Sequence, residues 1–204
     1  MAPENTGEEL LHRLGRRENL RCSLAVDGEP FKRIYIAPAD SHLLLKKANL
    51  LVTKGARENR YRPAVDPLFR SAAVVHGPWV TGVVLTGMLD DGTAGLIAIK
   101  KCGGVSVEQD PKDAAYPDMP ISVINNMKVS HYLPLAAMGP LLAKLACQQP
   151  VKAKSIPANI QTEAVIAERV VSDVAKVNGL GEQVPNNCPN CGGSAPGNEQ
   201  SRPA

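Results

Sequence analysis

Aromatic side chains are scarce in this chain: one Trp, four Tyr and two Phe make up 3% of 204 residues. Any core must therefore be packed by Val, Leu, Ile and Ala, and 44% apolar content is enough for one sizeable core. Long apolar runs are missing too. No uninterrupted stretch approaches the about 18 residues of a membrane span, so none is expected. The start, Met1-Ala2-Pro3-Glu4, lacks the basic and then apolar character of a secretory leader. Charge of one sign is also lacking. A net charge of +3 is too small and too dispersed to track nucleic acid, and Arg16-Arg17 and Lys100-Lys101 read as solvated faces. The five cysteines form no disulfide framework, and Cys22, Cys102 and Cys147 read as buried free thiols. These absences together point to a cytoplasmic protein with no nucleic-acid partner.

What is present centres on Val83-Val84-Leu85-Thr86-Gly87-Met88-Leu89-Asp90-Asp91-Gly92-Thr93-Ala94-Gly95. The β-branched run Val80–Leu85 predicts a strand buried on both faces of a parallel sheet. It breaks at a glycine, presents two carboxylates, and resumes as a helical pattern from Thr93. Open α/β sheets place their chemistry at the carboxyl ends of strands, where Asp90 and Asp91 fall. Four readings compete. A glycine-rich turn can cradle phosphate, although two acids oppose an anion there. Paired acids can hold Mg²⁺, but its other ligands have no visible source. One aspartate can orient the imidazole of a nucleophile–His–Asp triad. The plain alternative is a cap on the next helix.

The surrounding motifs come in a set order. Arg33-Ile34-Tyr35-Ile36-Ala37-Pro38-Ala39-Asp40-Ser41-His42 is followed by Arg62-Pro63-Ala64-Val65-Asp66-Pro67-Leu68-Phe69-Arg70-Ser71-Ala72-Ala73. The doublet turn is next, then Gln109-Asp110-Pro111 and Asp118-Met119-Pro120. Over roughly residues 8 to 146 this order closely resembles the CheB-type methylesterase domain of bacterial chemotaxis systems. The resemblance implies a doubly wound α/β fold, a parallel sheet in three αβα layers. It also implies hydrolysis of glutamyl methyl esters on methylated chemoreceptors, with glutamine deamidation as a second activity, by a Ser–His–Asp triad. The family's triad aspartate falls on Asp91, with Asp90 as a variable neighbour, and the amides near Gly87 and Met88 fall in the oxyanion region. Leu89 stands where most members have glycine, which predicts a stiffer or re-aimed turn.

Two triad members have no counterpart. The family's Ser follows its first strand and its His the second, both before the stretch that Met1–Asn5 resembles. Ser106 lies in a strand-like run, Ser71 within a helix and Ser194 in the tail, and none sits in a G-x-S-x-G elbow. His42 belongs to a structural motif at a hairpin strand. His12, His76 and His131 read as helix or loop surface. The expectation is thus a sheet incomplete at its N-terminal edge and a fragment without esterase activity. The competing class is a non-catalytic signalling relative that binds partners by its surviving surface.

Punctuation predicts the remaining elements. Residues 7–17 read as a helix. Short strands at Cys22–Ala25 and Ile34–Ala37 frame the Asp27-Gly28 turn. A hairpin over His42–Lys46 and Asn49–Thr53 is placed on the sheet edge. A helix over Ala64–Val75 carries an apolar stripe of Val65, Leu68, Ala72 and Val75. A helix over Thr93–Cys102 ends at Gly103-Gly104, and Val105–Glu108 reads as a strand followed by a long loop. Leu133–Ala146 reads as the last core helix. The domain is read as residues 1–147, a linker as 148–159, and a helical extension as 160–178, with Val165 on its apolar face and Glu163 and Glu168 outward. Residues 179–204 read as a disordered tail. That tail holds Cys188-Pro189-Asn190-Cys191, half of a zinc-ribbon site, with no further Cys or His to complete it. No other cofactor is expected.

Overall fold

The structure is a computed structural model and describes residues 6–15, 21–31, 34–150, 155–168, 183–187 and 194–196. It opens with helix α1 (Thr6–Gly15) and strands β1 (Cys22–Leu24) and β2 (Ile34–Ile36), which pair in parallel with Cys22 opposite Ile34. The Asp27-Gly28 turn is therefore no hairpin between them. It docks on the next unit instead: Gly28 N–H donates to the Leu50 carbonyl at 3.0 Å and Val52 N–H to Asp27 Oδ1 at 3.0 Å. That unit is the antiparallel hairpin of β3 (His42–Leu45) and β4 (Leu50–Thr53). It forms its own two-stranded sheet and does not extend the edge of the parallel one.

Helix α2 (Val65–His76) follows a cis Arg62-Pro63 bond. Its buried residues are Asp66, Pro67, Arg70, Ser71, Ala72 and Ala73, which differs from the expected Val65–Leu68–Ala72–Val75 stripe. The cause is tertiary, because α2 is covered on several sides, by β3, by α3 and by α6. Its polar residues can be buried because each has a partner, although among the described residues the Nε of Arg70 is left without a hydrogen bond while its Nη2 meets Glu58. Ser71 Oγ, for example, donates to the Leu68 carbonyl and accepts from Leu45 N–H.

Three parallel strands carry the second half: β5 (Thr81–Val84), β6 (Val105–Gln109) and β7 (His131–Leu133), in that spatial order. The crossover helices are α3 (Thr93–Lys101) and α4 (Asp118–Asn126). Parallel strands flanked by helices are the α/β class read from the sequence. In β5 only Gly82 and Val84 are buried, and Leu85 is 40% exposed, so burial on both faces does not hold. Both α4 and β7 were missed, because the short Asp- and Pro-rich segment carries little periodicity. His131 is a strand residue, not helix or loop surface. Helix α5 (Leu135–Ala146) begins after Pro134 and contains Pro140.

Helix α6 (Ala158–Ala167) packs on α2, with Ile160 and Ala164 buried. Val165 is 43% exposed, contrary to its assignment to the apolar face. Ile160 joins the main core of Ala73, Val84, Leu96, Ala98, Ile99, Cys102 and Val123. Of the three cysteines expected to be buried, Cys102 is, Cys22 is half-buried, and Cys147 is exposed. Strands β8 (Gln183–Asn187) and β9 (Ser194–Pro196) pair antiparallel in the segment read as a tail without elements. Cys188 and Cys191 lie outside the described residues. Among the described residues, no helix is long and apolar enough to cross a membrane.

Candidate active site

Strand β5 ends at Val84, and the turn that follows carries the aspartate doublet to the start of α3. Asp90 is exposed and gives only its backbone carbonyl to Thr93 N–H at 3.2 Å. Asp91 is 7% exposed and turns the other way. Its Oδ2 accepts from Val65 N–H at 2.8 Å, and its Oδ1 accepts from Asp66 N–H at 3.2 Å and from Asn59 Nδ2 at 3.1 Å. Asp91 is therefore a helix cap, but for α2, whose first amides lack intrahelical partners. The α3 start, with Gly92 as its cap residue at φ 91°, has no side-chain cap on that residue.

The arrangement is reciprocal. Asp66, in the first turn of α2, accepts from Gly95 N–H at 2.6 Å in the first turn of α3. Asn59 donates to both acids, reaching Asp66 Oδ2 at 2.8 Å. Burial pushes the Asp66 carboxyl above its ordinary value. The Gly95 and Asn59 hydrogen bonds oppose the shift, and the neighbouring Asp91 charge adds to it. Gly95 has to be glycine for this packing, since a Cβ there would lie 2.5 Å from Phe69 Cβ. Asn59 and the role of Asp66 escaped the sequence reading. Asp66 was visible in its motif, but nothing marked Asn59.

Asn59 sits on a turn held from behind. Arg62 donates through Nε and Nη2 to Asp40 Oδ1, at 3.0 and 2.7 Å, and through Nη1 to the Gly55 carbonyl at 2.7 Å. Those Arg62 bonds hold the Asp40 carboxyl below its usual value. His42 is buried beside them. Its Nε2–H donates to the Ala56 carbonyl at 2.8 Å, and its Nδ1 accepts from Ala64 N–H at 3.3 Å. His42 and Asp91 thus hold consecutive amides, Ala64 and Val65, without touching through hydrogen bonds. Both imidazole nitrogens are engaged in holding the loop, the structural role read for His42.

The far wall is the loop after β6. Gln109 accepts from Thr86 N–H at 2.9 Å and donates to Asp113 Oδ2 at 2.9 Å. Gly87 N–H donates to the Tyr116 carbonyl at 2.8 Å, and the Gly87 carbonyl accepts from Met119 N–H at 3.0 Å. The Gly87 amide is thereby occupied, which removes it as an oxyanion donor in this conformation. Met88, 59% exposed, is left as the candidate of that pair. Leu89, at the place where most family members have glycine, adopts φ 67°, a left-handed value that suits glycine. Of the serines considered, Ser106 is buried against Ser130 and Ser71 lies within α2, so neither faces Asp91.

Comparison with known proteins gives the same outline. The family model for CheB methylesterase matches residues 1–142. A "protein-glutamate methylesterase/protein-glutamine glutaminase of group 2 operon" from Rhodospirillum centenum is 38% identical over 146 residues, covering 69% of this chain and 37% of that protein. An Anaeromyxobacter dehalogenans protein of the same name, numbered 4, is 35% identical and has 42% of its length covered. The chain thus spans less than half the length of these relatives. The crystal structure of the Thermotoga maritima CheB methylesterase catalytic domain superposes with a TM-score of 0.67 at 35% identity, over 71% of this chain and 79% of that domain. With five motifs in order, a shared fold and a family match over most of its length, the chain belongs to the CheB methylesterase family.

Proposed function

We propose that this chain carries the acid-bearing part of a protein-glutamate methylesterase site acting on methylated chemoreceptors, with Asp91 as the carboxylate that orients the catalytic histidine. The observation that carries this reading is the state of Asp91. A carboxylate has about four lone-pair positions. Three are taken by fixed donors, two of them backbone amides, and one position on Oδ2 remains for an imidazole N–H. A carboxylate so held fixes the tautomer of its histidine and stabilises the imidazolium as the Ser proton is taken up. Attack of the serine oxygen on the ester carbonyl then expels methanol, and water hydrolyses the acyl-enzyme. This chemistry needs no cofactor, and zinc at Cys188 and Cys191 has no part in it. A cytoplasmic site of action goes with a receptor substrate of this kind.

The 204-residue chain by itself is expected to be inactive, because His42 has no free ring nitrogen and no serine among the described residues pairs with a histidine. Methanol release from methylated receptor should equal the no-protein control, and release well above it would overturn this expectation. The role of Asp91 is tested in a protein that joins this domain to a nucleophile and base. Asp91→Asn should lower kcat steeply there, the analogous change in a serine protease costing about 10⁴-fold. Asp90→Asn should leave kcat within a few-fold. Equal losses would mean that the pair works together, and a larger loss at Asp90 would mean that the neighbour is the triad acid.

A further inference from the structure

Three non-glycine residues near Asp91 hold a left-handed backbone, Asn59, Arg60 and Leu89, and of these only Asn59 uses its side chain in the hydrogen bonds of the fold. Asn59 (φ 50°) and Arg60 (φ 70°) are the central residues of a tight turn closed by Glu58 N–H to the Tyr61 carbonyl at 3.2 Å and Tyr61 N–H to the Glu58 carbonyl at 2.8 Å. Two positive φ values make this a turn that favours Asn followed by Gly. Asn59 uses its place to reach Asp91 and Asp66, but Arg60 stands where glycine would be free of strain. Its side chain is exposed. The other arginines of this loop are engaged, Arg57 and Arg62 on Asp40, while Glu58 pairs with Arg70 of α2. Among the described residues Arg60 makes no ion pair and no side-chain hydrogen bond. Two residues before Asp91, Leu89 (φ 67°) is 43% exposed, next to Met88 at 59%, and its N–H donates to Asp118 Oδ2 at 3.4 Å.

Non-glycine residues held in a left-handed backbone cluster at active sites and ligand clamps. We infer that Arg60 and Leu89 are specificity-determining residues of the site, Arg60 reading a carboxylate that flanks the target glutamyl ester on the substrate polypeptide and Leu89 giving an apolar wall to the residue beside it. The inference rests on Asp91 as the centre of the site. The charges on the Arg60 loop agree with an acidic ligand: Lys54 and Arg57 lie on the same loop, and Asp40 and Glu58 are matched by arginines, while the exposed acids Asp90 and Asp118 belong to the Leu89 turn and the start of α4.

The test uses the 204-residue chain and synthetic peptides with a central γ-methyl glutamate, one flanked by glutamates and one by glutamines. Binding is read by fluorescence anisotropy at low and high salt. The chain should prefer the acid-flanked peptide by about fivefold at low salt, with the preference fading as salt rises. Arg60→Gln and Arg60→Gly should each abolish the preference. Arg60→Gly and Leu89→Gly should hold or raise Tm, and Leu89→Gly should weaken both peptides alike. A preference that survives Arg60→Gln, an absent preference in the unaltered chain, or a lower Tm in Arg60→Gly would overturn the inference. A third peptide with alanine at the centre separates the two readings. An acid preference that needs Arg60 but ignores the central residue overturns Asp91 as the centre, and the placement of Arg60 with it. Sensitivity to the central residue without an Arg60-dependent preference overturns the role of Arg60 alone.

Discussion

Glu108 shows what a single residue can cost. It lies in β6 opposite Val84 and is fully buried, and among the described residues neither carboxyl oxygen has a hydrogen-bond partner. Burial pushes its pKa from 4.5 up to about 8. The folded state therefore keeps the proton over a range where the unfolded chain has lost it. Stability linked to Glu108 is full below about 4.5 and is lost as pH rises toward 8, by up to about 1.4 kcal/mol per pH unit. Replacement by an unbranched apolar residue of similar length, Glu108→Met, should stabilise the protein at pH 8 and flatten this slope. Urea unfolding at pH 5 and pH 8 checks it, and an unchanged slope in the variant would assign the pH dependence to other groups. Nothing in the alternation of Val105-Ser106-Val107-Glu108 reveals the buried acid, because a polar residue in a strand ordinarily reads as its solvent face.

The link between elements is the pair of crossed caps, in which Asp91 serves α2 and Asp66 serves α3. Asn59 is the amide that keeps two buried carboxylates compatible. Asn59→Ala should lower stability by about 1–3 kcal/mol, since both acids lose a donor where water has poor access. Thermal melts measure this, and a loss below about 0.5 kcal/mol would mean that solvent replaces the amide freely. The same geometry sets a condition on Asp91→Asn. An Asn amide NH₂ must point at one of the fixed donors, so the variant should lose stability by about 1–3 kcal/mol as well as activity, and its kinetics belong at a temperature scaled to its own Tm. The doublet was legible as a strand-end turn because glycine and apolar punctuation are local. The helix Asp91 caps was not, because its partner amides lie 25 and 26 residues earlier in the chain.

On the scale of the molecule, α6 belongs to the core and not to an appendage. Ile160 is buried in the main cluster, and Glu163 and Glu168 face Arg70 and Lys46 across the contact. Ile160→Ala should cost about 2–5 kcal/mol and lower a single cooperative transition. If the main transition stays put while a minor one disappears, α6 folds apart from the rest. The parallel sheet of β5, β6 and β7 holds the turn at its carboxyl end, while the β3–β4 hairpin and the cis-proline loop bring Asn59 to it. The site is therefore assembled from two separate sheets.

Composition, punctuation and motif order were enough to determine the α/β class, the family and the strand ending at the Asp doublet. These follow from local rules: β-branched runs make strands, glycine and proline break them, and a turn geometry demands its residue type. Tertiary structure alone decided which side chains meet. It gave Asp91 to α2, joined Asp66 to it through Asn59, engaged the Gly87 amide, buried Glu108 without a partner among the described residues and docked α6 on α2. The physical reason is distance along the chain. Hydrogen bonds and packing contacts form between residues brought together by folding, and residue spacing carries no record of partners tens of positions away.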